Sequence, residues 1–67
     1  MSDSDLLDAM DDREMRDFAI FIGDAVAGWR GESGEFVRRW LRKFRASKSV
    51  DARRDALRRA REAWLCP

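Results

Sequence analysis

The chain has 67 residues, a formal net charge of +1, one cysteine and no histidine. That length holds one domain at most, and such a domain buries only about 60% of its unfolded surface. An internal disulfide and a His-type metal site are excluded, no DxDxDG-like calcium loop is present, and no cofactor is expected, so a partner chain is the expected source of extra stability.

Residues 1–10 are acidic and are expected to be partly disordered or to add a short extra helix, with Leu6, Leu7 and Met10 packing back. A first long helix is predicted over residues 12–29. Asp11, with Glu14 three residues on, has the form of a capping box. Met15, Phe18, Ile22, Ala25 and Trp29 recur at alternating spacings of three and four, a heptad-like seam, and Gly28 and Gly31 mark the stop. Ala19, Gly23 and Ala27 form a second stripe of small residues on the same helix, where a mid-helix glycine costs about 1 kcal/mol relative to alanine. With Ile20, Phe21 and Val26 added, this helix is apolar on more than one face and asks for a covering partner.

The second helix is predicted over residues 34–46, with Ser33 as N-cap and a stripe of Phe36, Val37, Trp40, Leu41 and Phe44. After a loop at residues 47–49, the third is predicted over residues 50–65. Ser49 caps it, Leu57, Ala60 and Trp64 line it, and Ala56 and Ala63 lie alongside. No convincing strand alternation exists. The expected fold is therefore a single all-α domain over residues 1–67, built of three helices, antiparallel because the connections are short, and homodimeric.

Charge is segregated. Residues 1–24 carry eight acidic and two basic side chains, a balance of −6, whereas residues 25–67 carry five acidic and twelve basic, a balance of +7. Either the acidic part screens the basic part, within one chain or across a dimer, or each meets its own partner; the first is the reading taken forward. Arg38, Arg42 and Arg45 fall on one face of the second helix with Arg39 and Lys43 beside them. Arg53, Arg54, Arg58, Arg59 and Arg61 make a second basic surface.

No catalytic constellation is present: Cys66 has no histidine to activate it, there is no Gly-rich phosphate loop, and the serines sit at caps and ends. An enzyme is not expected. The longest apolar run, residues 18–22, is far too short to span a bilayer, and an acidic N-terminal segment has the wrong sign for a secretory leader; a cytoplasmic protein that avoids membranes is expected. Three indoles and many arginines are the residue types richest in binding hot spots. The leading expectation is thus a protein-binding module, an adaptor or an inhibitor that occludes its partner, in the manner of phage and mobile-element accessory proteins by analogy. Phe18, Ala19, Ile22, Gly23, Val26 and Trp29 are the candidate dimer or partner interface. Arg38, Arg39, Arg42, Lys43, Arg45, Arg54, Arg58 and Arg61 are the candidate basic face. The alternative is a small nucleic-acid-binding regulator using the two basic helices, although the chain has no Asn or Gln to read adenine. A third reading makes Asp3, Asp5, Asp8, Asp11 and Asp12 a mimic of nucleic acid.

Overall fold

The computed structural model describes residues 4–65. Asp3, Cys66 and Pro67 lie outside that description, as do the side chains of Asp5 and Leu6. The fold is all-α: among the described residues there are four helices and no strand, α1 (Ser4–Ala9), α2 (Asp12–Ala25), α3 (Glu32–Ala46) and α4 (Val50–Leu65). One helix more than the three expected is present, because α1 stands apart from α2.

The break between α1 and α2 follows from Asp11. Its backbone is extended, at φ −85° and ψ 179°, which no helix interior allows. In exchange, Asp11 Oδ1 accepts from the Glu14 amide at 2.8 Å and Glu14 Oε1 accepts from the Asp11 amide at 3.2 Å. The capping box read from the sequence is thus formed in full. Met10 and Met15 occupy the flanking positions of a hydrophobic staple, and both join the core.

Two boundaries differ from expectation. Helix α2 stops at Ala25, four residues early. The Ala27 amide bonds back three residues to Asp24 and the Trp29 amide three back to Val26, at 3.3 and 3.0 Å, which tightens the chain into turns. The Val26 carbonyl also accepts from Arg38 Nη1 at 3.2 Å, a cation from α3 at a helix end that has no basic residue of its own. Helix α3 starts two residues early, at Glu32, and Ser33 is no cap. The N-cap is Gly31, at φ 90° with no side-chain cap bond, a conformation that glycine alone adopts freely. Gly34 is buried, and a Cβ there would stand 3.0 Å from Trp29 Cβ and 3.1 Å from the Trp29 carbonyl, so glycine permits this corner to close. Helix α4 has the expected bounds. Ser49 Oγ accepts weakly from the Ala52 amide, at 3.4 Å.

The core comprises Leu7 from α1; Met15, Ala19 and Ile22 from α2 and Val26 at its C-cap; Val37, Leu41 and Phe44 from α3; and Ala56, Leu57 and Ala60 from α4. The buried face of α2 is 15, 19 and 22, continued by Val26 at the C-cap, rather than the predicted 15, 18, 22, 25 and 29. Phe18 and Trp29 flank the core and Ala25 is exposed. No described polar or charged residue is buried. α3 and α4 pack on each other most extensively, α4 also touches α1 and α2, and α2 meets α3 only sparingly. The thinnest extent of the molecule is 16 Å, about what two helices in contact span. No helix is therefore enclosed on every side.

Candidate partner-binding surface

The arginines divide into two populations. On α4 they are tied to the N-terminal part of the chain. Arg54 donates from Nε to the Leu7 carbonyl at 3.1 Å and from Nη2 to the Met10 carbonyl at 3.2 Å, at the end of α1, where the Leu7 carbonyl also accepts from the Met10 amide at 3.2 Å. It also pairs with Asp51 at 3.5 Å. Arg58 Nη2 meets Asp8 Oδ1 at 2.8 Å, and Arg53 Nη1 meets Asp12 Oδ1 at 3.3 Å. Arg53 also lies over the Phe44 ring, 4.7 Å from its centroid, and Arg59 pairs with Asp55 along the helix at 3.2 Å. Arg61 is half-buried and is not free either.

Helix α3 is different. Arg38 is committed to the Val26 carbonyl, and Lys43 sits 4.6 Å above the Trp40 ring, where a cation meets the negative face of the indole. Arg39, Arg42 and Arg45 are exposed and make no ion pair among the described residues, nor does Arg16 on α2. Arg13, Arg30 and Lys48 are likewise exposed and without an ion pair among the described residues.

Arg16, Arg42 and Arg45 line an open furrow. Because α2 presents Ala19 and Gly23 towards α3, the two helices leave a gap. One part of it, about 360 Å³, is lined by Ile20, Gly23, Asp24, Arg38, Leu41, Arg42 and Arg45. A second part, about 380 Å³, is lined by Arg16, Ala19, Ile20, Phe44, Arg45 and Arg53. Ile20 and Arg45 belong to both, so the two parts adjoin. Ile20 is 51% exposed, and the furrow is apolar along its floor and basic along its walls, with Asp24 the one acid.

The candidate interface residues are scattered by this arrangement. Ala19, Ile22 and Val26 belong to the core of the single chain, and of the three Ala19 also lines the furrow. Gly23 lies on the furrow floor. Trp29 packs on the core beside Gly34. Phe18 joins an aromatic cluster with Phe21 and Trp64, with centroids 5.6–6.4 Å apart, in which Phe21 is 57% exposed. A second ring pair, Phe36 and Trp40, meets edge-on at 6.2 Å, and Arg59 covers Trp40 at 5.0 Å. Of the basic candidates, the structure gathers Arg38, Arg42 and Arg45 on the furrow, sets Arg39 near Glu32 and Glu35 on the outer side of α3, and places Arg54 and Arg58 under α1.

No protein-family model matches the chain, and no curated protein or solved structure is significantly similar to it.

The sequence pattern placed Ile20 only among the surplus apolar residues of α2 and did not single out Arg16. The signal was present: Arg16, Ile20 and Gly23 fall at i, i+4 and i+7 on α2, away from the buried stripe. Among the described residues no group of three side chains could hold a metal ion, and no described helix is long and apolar enough to cross a membrane.

Proposed function

We propose that this chain is a non-enzymatic, cytoplasmic binding module that docks on a partner protein as an adaptor or an occluding inhibitor. The observation that carries this reading is the furrow between α2 and α3, where Arg16, Arg42 and Arg45 have no ion pair among the described residues and stand beside the half-exposed Ile20. Arginine next to exposed apolar surface is the composition of binding hot spots, and like charges at i, i+3 and i+4 of α3 are a small strain that an acidic partner relieves. The short connection at residues 47–49 supports an antiparallel α3–α4 pair. The exposed Phe21, stacked with Phe18 and Trp64, supports self-association at that cluster instead of at the core residues Ala19, Ile22 and Val26.

Nucleic-acid binding is the second reading, favoured by the uncommitted Arg39, Arg42 and Arg45 along one helix. It has lost ground, because Arg38, Arg54 and Arg58 serve the fold. With about 0.9 units of salt slope per phosphate contact, Arg16, Arg39, Arg42 and Arg45 sustain a slope of about −3.6, enough for weak non-specific binding. An acidic mimic is less supported still: Asp8 and Asp12 pair with arginines and Asp11 caps α2.

A tagged pull-down from nuclease-treated lysate of the source cells tests the first reading. One near-stoichiometric protein is expected with the wild type, and its loss with Arg42→Glu/Arg45→Glu. Recovery of nucleic acid alone, and only when nuclease is omitted, would transfer the function to the second reading.

A further inference from the structure

The furrow also has the chemistry to specify what enters it. Its floor is apolar, from Ile20, Gly23 and Leu41, and its α3 wall carries Arg42 and Arg45. From Arg16 to Asp24 it follows α2 for eight residues, about 12 Å at helical rise, the length of roughly two turns of a docked helix.

Gly23 adds an independent observation. Gly31 has a positive φ, and Gly34 sits where a Cβ would crowd Trp29, so the fold accounts for both. Gly23 lies in the last turn of α2 with no positive φ, and a Cβ there would meet only Leu41 Cδ1 at 3.7 Å, an ordinary contact. The fold of the single chain therefore gains nothing from a glycine at this position and bears its helix penalty. What the missing side chain does is keep the furrow floor low.

Resting on the docking reading above, we propose that the furrow takes an acidic amphipathic segment of a partner protein. One bulky apolar side chain of that segment seats over Ile20, Gly23 and Leu41. Carboxylates beside it meet Arg42 and Arg45 on one wall and Arg16 at the far end. Arginine suits this role because its fork binds a carboxylate through two parallel bonds. Asp24 gives the site polarity, since the end of the segment nearest to it must be cationic or a helix N-terminus. A nucleic-acid backbone fits less well: phosphates need no apolar floor, and Asp24 repels them.

The test is selection from a displayed library of random peptides against the intact chain, followed by anisotropy titration of the winners with wild type, Arg42→Glu/Arg45→Glu and Gly23→Ala. The expected winners carry Asp or Glu around one large apolar residue. They lose at least about tenfold in affinity on charge reversal and weaken with Gly23→Ala, whose melting temperature rises, so that misfolding does not explain the loss. Apolar winners indifferent to charge reversal would overturn this inference and leave the docking reading standing. Winners unaffected by Gly23→Ala would overturn it too, by moving the seat out of the furrow. No peptide winners, together with binding of a short DNA duplex that Arg42→Glu/Arg45→Glu abolishes, would overturn both.

Discussion

Helices α3 and α4 carry nearly the same basic pattern, FVRRWLRKFR in one and DARRDALRRAR in the other, and the fold treats them in opposite ways. On α4, Arg53, Arg54 and Arg58 face α1 and the start of α2, where Asp8, Asp12 and the carbonyls of Leu7 and Met10 receive them. On α3, Arg42 and Arg45 face a gap, because α2 presents small residues and one isoleucine there. An arginine-rich helix face is thus not by itself a binding surface. What the topology brings opposite decides whether it becomes glue or remains available. The intramolecular screening expected from the charge segregation occurs here on α4 and stops short of α3.

The sharpest way to break the contrast is to release α1. Leu7 is its one fully buried side chain among those described, and six residues cannot hold a helix alone. Leu7→Ala should cost about 2–5 kcal/mol locally, seen as loss of hydrogen-exchange protection throughout α1. Ile20→Ala, on the open side, should stay within about 0.5 kcal/mol. Equal effects at the two positions would mean that the furrow is filled in the free protein.

Arg54→Ala comes next. It leaves the Leu7 and Met10 carbonyls without their charged donor, and charge-assisted bonds of this kind are worth about 1.5–3 kcal/mol. Against a total stability of roughly 3–10 kcal/mol for a chain of this length, the urea midpoint should fall visibly at unchanged m-value. A shift no larger than that of Arg42→Ala would show that the two arginine populations are equivalent after all.

What was legible in the sequence was local. The capping box at Asp11 and Glu14, the Ser49 start of α4 and the Leu57–Ala60 stripe each rest on residues within two turns of one another, and the structure keeps them. What was not legible depends on distant segments. Helix α2 gives way after Ala25 to tight turns, where the Val26 carbonyl accepts from the Trp29 amide and from Arg38, twelve residues on. Helix α3 begins early because Gly31 takes a positive φ that no spacing announces. A helix apolar on several faces does not reveal which face the fold will use, and so Ala19, Ile22 and Val26, which looked like an interface, turn inward. For the basic residues the pattern gave candidates but no partners. Only the position of α1 separates Arg54 and Arg58 from Arg42 and Arg45.

The smallest expected effect is also the most pointed. Arg42 and Arg45 lie on one face of α3 with Arg38, and like charges at these spacings repel by a few tenths of a kcal/mol. Arg42→Ala/Arg45→Ala should therefore leave stability unchanged or raise it by about that much, measured as the urea midpoint at low salt. Salt separates the two sides further. Added salt screens the repulsion on α3 and so stabilises, while it weakens the exposed Asp8–Arg58 pair, worth about 0.2–1 kcal/mol. In the wild type these responses oppose each other. In the double variant only the second remains, and stability should fall more steeply as salt is added. A loss of more than about 1 kcal/mol at low salt would mean that Arg42 and Arg45 are bound within the fold like those of α4, and the furrow would have no cations to offer a partner.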